Sequence, residues 1–245
     1  YFCNVNPLIR FGGFYDYSKN EILAQFSSPT IPETLFIPHS KIKSFRPNFY
    51  PFVAKPNSGE RGKNVAIIND QSQWEKYNSL VNEDLIVQEY IDLPLEFGLF
   101  YVRYPQTQKG QIISITAKEF LWIEGDGQST LKDLIRQNLR SFMIKDELFT
   151  KFSSQLDLVL TKGEKLLLSE IGNHYRGTKF LDASDLIHLT LERKVDEIMQ
   201  SMQHFYYGRL DVKTNSIEDL QNGNFVILEI NGANSEATQL YDPKY

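Results

Sequence analysis

The chain has 245 residues, of which 41% are apolar and 23% are charged. This composition excludes a disordered or low-complexity chain, because it supplies enough apolar side chains for a core. The 26 lysines and arginines stand against 31 aspartates and glutamates, a net charge of −5. We therefore expect no nucleic-acid binding through a general basic surface.

Cysteine usage and the length of apolar runs bear on the cellular compartment. Cys3 is the single cysteine of the sequence, which excludes an intramolecular disulfide and favours a reducing compartment. The longest apolar stretches, such as Leu156–Leu160, fall far short of the roughly 20 residues that cross a bilayer. We expect a cytoplasmic protein without a membrane span.

The first half of the chain predicts short strands separated by turns. Strands over 52–55 and 64–68 flank a segment with two glycines, which is typical of a hairpin with a mobile tip. Asp70 then predicts the start of a helix that ends at Leu80. Three more strands are predicted over 85–91, 98–104 and 111–120.

The second half mixes helices and strands. Thr130 and Asp133 have the spacing of a capping box before a helix over 131–139. An apolar stripe predicts a long helix over 183–203, and two strands follow over 208–213 and 224–231. Because strands and helices do not alternate strictly, the pattern predicts an α+β fold with antiparallel sheets.

The last two strands carry the strongest candidate chemistry. Alternation puts Arg209 and Asp211 on one face of the first strand, and Glu229 and Asn231 on one face of the second. The same alternation predicts Val226, Leu228 and Ile230 on the opposite face. Carboxylate and amide oxygens suit Mg²⁺, and Arg209 suits charge that develops on a phosphoryl group. Alternation is also what any half-exposed strand shows, with its polar residues in water.

Two lysines are further candidates for phosphate binding. Lys55 ends an apolar strand directly before the glycine segment, whose amide groups suit phosphate oxygens. The segment lacks the spacing of a P-loop. An ordinary turn at the glycines and a surface position for Lys118 are the alternatives for each element taken alone.

Taken in order, these motifs resemble the ATP-grasp superfamily of carboxylate–amine ligases, of the D-alanine–D-alanine ligase and cyanophycin synthetase types. The resemblance runs from about Ser18 to Tyr241. Its motifs are Asp16–Lys19, Ile31–Thr34, Val53–Gly62, Val87–Ile91 with Glu96, Lys118, Gly125–Ile135, Arg209-x-Asp211 and Glu229-x-Asn231.

The resemblance implies a role for each matching residue. Lys55 and Lys118 would contact nucleotide phosphates, together with the glycine loop of Gly59, Glu60, Arg61 and Gly62. Gln88 and the backbone of Glu89 and Ile91 would hold adenine, and Glu96 would bind the ribose. Asp211, Glu229 and Asn231 would bind Mg²⁺, with Mn²⁺ as an alternative. Arg209 and Lys118 would act in catalysis.

The resemblance also implies a fold in which two α+β lobes with antiparallel sheets hold ATP between them. We expect a lead-in segment over 1–38, a small lobe over 39–108 and a large lobe over 109–245. The family usually carries a preceding domain that supplies part of the substrate site. We therefore expect a homo-oligomer, a piece of a longer protein, or a compact variant.

A polar loop before the long helix completes the candidate residues. His174 and Arg176 lie between Gly172 and Gly177, and with Lys165 and Lys179 they suit an acidic substrate. A structural loop with a solvated histidine is the alternative.

The resemblance predicts an ATP- and Mg²⁺-dependent ligase. Such an enzyme would activate a small carboxylate as an acyl-phosphate and join it to an amine. The alternatives are an ATP-dependent phosphotransferase and a nucleotide-binding module without catalysis. An enzyme is favoured over a binding module, because a binding module has no need of the complete set of Arg209, Asp211, Glu229 and Asn231.

Overall fold

The computed structural model of the chain describes residues 4–26, 30–59, 64–173 and 176–242. Its helices are α1 Lys19–Leu23, α2 His39–Ile42, α3 Gln71–Leu80, α4 Leu131–Gln137, α5 Leu139–Phe142, α6 Lys145–Lys151, α7 Leu189–Ser201 and α8 Ile217–Gln221. Its strands are β1 Thr34–Ile37, β2 Phe52–Pro56, β3 Ala66–Ile68, β4 Leu85–Glu89, β5 Leu95–Val102, β6 Gln111–Glu119, β7 Leu121–Glu124, β8 Lys165–Ser169, β9 Lys179–Asp182, β10 Tyr207–Thr214 and β11 Val226–Asn231.

The predicted α+β class with antiparallel sheets is confirmed. The strand pairs β1–β4, β2–β4, β2–β3, β5–β10, β10–β11 and β7–β8 are all antiparallel. Among the residues described, no helix is both long and apolar enough to cross a membrane.

The chain forms two compact units. Unit 1 consists of Tyr1–Ala117 and Asp182–Leu240, and unit 2 consists of Lys118–Leu181 and Tyr241–Tyr245. These units do not coincide with the lobes predicted over 1–38, 39–108 and 109–245, and that division of the chain stays a prediction.

A four-stranded sheet of unit 1, here called the small sheet, has the order β1-β4-β2-β3. Phe52 of β2 and Val87 of β4 belong to one core cluster with Trp74 of α3. Because neighbouring side chains of a strand point to opposite faces, Lys55 and Gln88 project from the face that α3 leaves uncovered. The small sheet therefore has an apolar face and a polar face.

A second sheet of unit 1, here called the large sheet, contains the order β11-β10-β5-β6. Its fifth strand is β9, within which the chain returns from unit 2 to unit 1 at Asp182. Leu99, Leu210 and Val212 from one face pack in a single cluster with Val195 and Met199 of α7. The opposite face carries the polar residues of β5 and β10.

A β-bulge in β11 decides which of its residues enter the core. Asp211 pairs with Glu229 but Val212 pairs with Ile227, which leaves Leu228 as the extra residue. Ile227 and Ile230 are therefore both buried, although they are three residues apart. The prediction that Val226, Leu228 and Ile230 share the apolar face was wrong, because strict alternation takes no account of a bulge.

Unit 2 contains β7, β8 and the three helices α4 to α6. Leu121, Ile123, Leu131 and Ile135 lie in its core cluster. The motif that begins at Gly125 is a structural turn here, since Asp126 Oδ1 accepts hydrogen bonds from the amides of residues 128 and 129 at 2.8 and 2.7 Å.

Both predicted helix caps are confirmed. Asp70 accepts a hydrogen bond from the amide of Gln73 at 2.8 Å, and Thr130 accepts one from the amide of Asp133 at 3.2 Å. The long helix, however, begins at Leu189 and not at residue 183, because His188 has the extended backbone of an N-cap. The sequence analysis missed strands β1, β7, β8 and β9 and helices α2, α5, α6 and α8. These elements are short, and tertiary packing stabilises them.

A buried polar network fastens α7 to the large sheet. Asp196 accepts hydrogen bonds from the Tyr101 hydroxyl at 2.7 Å, from the Gly110 amide at 2.8 Å and from the Gln200 side chain at 2.8 Å. We expect Asp196→Ala to lower the free energy of unfolding by about 2–4 kcal/mol, because Tyr101, Gly110 and Gln200 all lose this acceptor. Urea unfolding measures this loss. Glu197→Ala, at an exposed position of the same helix, is the control, and equal effects of the two variants would contradict the prediction.

Candidate functional site

The candidate site lies on the polar faces of the two sheets of unit 1. Lys55 Nζ, from the small sheet, donates hydrogen bonds to Gln88 Oε1 at 3.0 Å and to the carbonyl oxygen of Leu228 at 3.1 Å. Leu228 is the extra residue of the β11 bulge, so the bulge supplies a backbone acceptor that joins the large sheet to Lys55.

The pairing of β10 with β11 gathers the predicted metal ligands. Arg209 lies opposite Asn231, and Asp211 lies opposite Glu229. Arg209 binds the Asp211 carboxylate through two nitrogens, Nε at 2.8 Å and Nη2 at 3.1 Å. Asn231 Nδ2 donates to Asp211 Oδ2 at 3.1 Å. The predicted convergence of Asp211, Glu229 and Asn231 is therefore present in the fold.

Two residues of the N-terminal segment belong to the same site. Lys19 Nζ lies 3.5 Å from a carboxylate oxygen of Glu229 and donates to the carbonyl oxygen of Gly59. The Tyr17 hydroxyl lies 3.3 Å from Asn231 Oδ1. Tyr17 and Lys19 thus reach both residues of β11 that the sequence predicts as metal ligands.

Packing of the N-terminal segment explains this reach. Asn6 is fully buried and accepts hydrogen bonds from the amides of Tyr206 and Tyr207 at the start of β10, at 2.9 and 3.2 Å. Gly13, with φ of +77°, approaches Gly232 so closely that an added Cβ would lie 2.7 Å from the Gly232 Cα. The segment is therefore an integral part of unit 1.

A cross-strand pair extends the site along the large sheet. Lys213 of β10 lies opposite Glu96 of β5, and Lys213 Nζ donates to the carbonyl oxygen of Ile91 at 2.9 Å. One step along, Gly98 lies opposite Asp211, where a Cβ would lie 3.0 Å from Arg209 Cδ. A larger residue at 98 would crowd the Arg209–Asp211 pair.

Burial separates these charged residues from ordinary surface residues. They are only 6–8% exposed, and they are Lys19, Lys55, Glu96, Asp211 and Lys213. Charged side chains are rarely buried unless they are paired. Their shared burial therefore indicates a built polar site.

The electrostatics of the site follow from burial and from the carboxylates. Burial lowers the pKa of Lys55, and the attraction of Glu229 and Asp211 offsets that shift only in part. Burial also acts to lower the pKa of Arg209, but the Asp211 carboxylate outweighs burial and the net shift is upward. Arg209 is thus a fixed positive charge, whereas the charge of Lys55 is costly in the protein alone.

The donor set fits a magnesium ion. Asp211 and Glu229 supply carboxylate oxygens and Asn231 supplies an amide oxygen, which matches the preference of Mg²⁺ for a few protein oxygens beside water or phosphate. In the described part of the chain, no group of three or more His, Cys, Asp or Glu side chains could hold a metal.

The remaining predicted residues have other surroundings. Lys118 lies near the end of β6 and belongs to unit 2, as does Arg176, which pairs with Glu147. Lys179 pairs with Glu119 at 2.9 Å. Glu60, Arg61, Gly62 and His174 lie outside the described residues. The roles assigned to all these residues stay predictions.

The backbone groups of two predicted adenine contacts already have hydrogen-bond partners within the protein. The amide of Glu89 donates to the carbonyl of Glu33 at 2.9 Å, and the carbonyl of Ile91 accepts from Lys213. Glu96 is buried beside Lys213 in the pairing of β5 with β10. The adenine and ribose roles stay predictions.

Sequence reasoning missed four residues of the site, namely Tyr17, Lys19, Gly98 and Lys213. Lys213 could have been predicted, because it lies two residues after Asp211 in the same strand and therefore shares its face. Lys19 follows the N-cap Ser18, and nothing in its local pattern distinguishes it from a surface lysine.

Comparison with known proteins finds one family and a group of solved structures. Residues 26–98, under a third of the chain, match the Tubulin-tyrosine ligase family. None of the curated protein sequences matches this chain.

The solved structures include two ligases with named organisms. D-alanine–D-alanine ligase from Bacillus anthracis is 14% identical over 91% of this chain and 59% of its own, with a TM-score of 0.48. The bifunctional glutathione synthetase from Pasteurella multocida is 14% identical over 90% of this chain and 32% of its own, with a TM-score of 0.45.

A third structure is that of the ATP-grasp ligase PsnB complexed with a minimal precursor. It is 13% identical over 91% of this chain and 53% of its own, with a TM-score of 0.44. The chain resembles these ligases. The chain spans between about a third and three fifths of each matched structure.

The lowered pKa of Lys55 predicts a pH dependence of stability. In the unfolded chain lysine titrates near its ordinary value of about 10.4. Between the lowered folded-state pKa and that value, the unfolded state binds more protons, so stability rises with pH. We expect wild type to gain stability relative to Lys55→Met as the pH rises towards 10.4. Urea unfolding without nucleotide measures the difference.

Lys41→Met, at an exposed lysine, is the control for the loss of a surface charge. A wild-type advantage over Lys55→Met that stays constant across this pH range would show that burial of Lys55 carries no cost.

Proposed function

We propose that the chain is an ATP- and Mg²⁺-dependent ligase that activates a carboxylate as an acyl-phosphate and joins it to an amine. One observation carries the proposal: Lys55 of the small sheet bonds to the bulge of β11, beside Arg209, Asp211, Glu229 and Asn231. Buried lysines next to a carboxylate pair suit a nucleoside triphosphate with its metal ion.

Each residue has a role in this proposal. Asp211, Glu229 and Asn231 hold the metal ion, which neutralises charge on the phosphate oxygens when it is bound. Lys55 and Lys19 bind phosphate oxygens, and the burial of both amines strengthens that attraction. The Arg209 guanidinium remains charged at every working pH and stabilises negative charge that develops on the reacting phosphoryl and acyl groups.

The proposed reaction has two steps, a phosphoryl transfer and an acyl transfer. The γ-phosphoryl group of ATP passes to the substrate carboxylate, with ADP as the leaving group. An amine then attacks the acyl carbon, the bond to phosphate breaks, and an amide and inorganic phosphate are released. The chain's contribution is positioning and charge neutralisation. The motif resemblance and the name of the matched family support a ligase outcome, and the single cysteine supports a cytoplasmic setting.

The first test is nucleotide binding. We expect Mg-ATP to raise the melting temperature, because a ligand at a hundredfold excess over its Kd stabilises the native state by about 2.7 kcal/mol. Differential scanning fluorimetry measures the shift, with Lys55→Met as the variant that loses it. No shift at millimolar Mg-ATP in a folded sample would overturn the proposal.

The second test is turnover. We expect Asp211→Asn and Glu229→Gln to reduce carboxylate-dependent phosphate release by on the order of 100-fold or more, because each removes a charged metal ligand. Glu218→Gln, at an exposed position of α8 between the same two strands, is the matched control. Normal turnover in either site variant would show that the metal site is elsewhere.

Mass spectrometry of the products separates the reaction classes. An amide that requires both carboxylate and amine indicates a ligase, and a stable phosphorylated product indicates a phosphotransferase. ATP binding without turnover across panels of carboxylates and amines indicates a binding module.

A further inference from the structure

A cleft of about 230 Å³ lies on the outer side of the small sheet. Its lining comes from the segment after α2, with Lys43 and Arg46, and from α3, with Gln71, Trp74, Glu75 and Asn78. Sites for drug-sized molecules have volumes of roughly 300–1,000 Å³, so this cleft suits a smaller ligand. We call it the α3 cleft.

The α3 cleft is separate from the candidate nucleotide site. Trp74 packs on Phe52 and Phe45, with ring centroids 5.7 and 5.6 Å apart, and lies in the core on the apolar face of the small sheet. Lys55 and Gln88 project from the opposite face. A ligand in the cleft therefore does not contact the residues assigned to ATP.

Two buried polar atoms of the cleft residues lack a hydrogen-bond partner. Within the described part of the chain, neither Trp74 Nε1 nor Asn78 Oδ1 has one. Trp74 is 1% exposed. Buried polar groups in native proteins are nearly always paired, so an unpaired donor and an unpaired acceptor on one helix, one turn apart, point to an absent partner.

The charges around these atoms restrict that partner. Lys43 and Arg46 are exposed cations at the rim. Glu75 accepts a hydrogen bond from Gln71 Nε2 at 2.8 Å and keeps its negative charge. Arg46 Nη1 donates to the carbonyl oxygens of Lys43 and Phe45 at 2.9 and 3.0 Å and remains a cation. Two cations and one carboxylate leave one positive charge in excess, which attracts an anion. The complementary molecule carries a negative acceptor group for the cations and Trp74, and a donor for Asn78.

We propose that the α3 cleft binds a small carboxylate with an adjacent N–H donor, the chemistry of an α-amino acid or of the last residue of a peptide. The carboxylate lies against Lys43 and Arg46 and accepts from Trp74 Nε1, and the N–H group donates to Asn78 Oδ1. Both unpaired atoms lie beneath the surface, so rim side chains shift on binding. Exposed side chains change rotamer within nanoseconds, which permits this shift.

The Trp74 indole N–H resonance tests the proposal directly. The sequence contains two tryptophans, and Trp122 lies on β7 of unit 2, so Trp122→Phe leaves a single indole signal. We expect alanine or N-acetylalanine to displace this signal saturably in ¹H–¹⁵N spectra. Acetate, which lacks the N–H, and alaninamide, which lacks the carboxylate, bind at least tenfold more weakly.

Variants of the exposed cations Lys43 and Arg46 test the proposal without changing the buried Trp74. We expect the double variant Lys43→Gln/Arg46→Gln to weaken binding by roughly tenfold or more, since each removes a charged partner. Lys41→Gln, at a neighbouring exposed lysine, leaves binding unchanged. Tighter binding of alanine identifies a free amino acid as the ligand, and tighter binding of N-acetylalanine identifies a peptide end.

Three results would overturn the proposal. They are the absence of a saturable displacement with either ligand, equal affinity for acetate and alanine, and undiminished binding in the double charge variant. None of these results bears on ATP turnover, so the proposal and the proposed function fail independently.

Discussion

The candidate site depends on one backbone irregularity, the β-bulge at Leu228. Phe225, directly before β11, and Ile227 within it are core residues, and strict alternation would send Glu229 into the core after them. The extra residue shifts the parity, so Ile230 takes the core position and Glu229 faces the polar side. The same bulge presents the Leu228 carbonyl to Lys55. One inserted residue thus orients the carboxylate and connects the two sheets.

Charge compensation explains why so many ionic groups tolerate burial here. Each buried charge has a partner of opposite sign or a backbone dipole, as in Arg209 with Asp211 and Lys213 with the Ile91 carbonyl. The gathered groups comprise four cations and three carboxylates, which leaves one positive charge in excess. Such a site favours an anionic ligand, because an anion would compensate the buried positive charge that has no carboxylate partner. The lowered pKa of Lys55 reflects that cost.

The N-terminal segment shows how a piece of chain with only short helical turns becomes part of a site. Asn6 fixes it to the start of β10, and Gly13 allows it to approach Gly232 more closely than any side chain would permit. Short α1 then directs Lys19 to Glu229. Apolar packing holds the segment as well, since Ile9, Tyr17 and Ile22 lie in the same core cluster as the large sheet.

Local patterns in the sequence determined the α+β class, the two helix caps and the facing of Arg209 and Asp211, because each depends on neighbours within a few residues. The motif order also predicted that Asp211, Glu229 and Asn231 come together. Tertiary structure alone decided the bulge at Leu228, the inclusion of Lys19 and the unpaired Trp74 Nε1. These features depend on contacts between residues far apart in the chain, such as Lys55 and Leu228, which no local periodicity encodes.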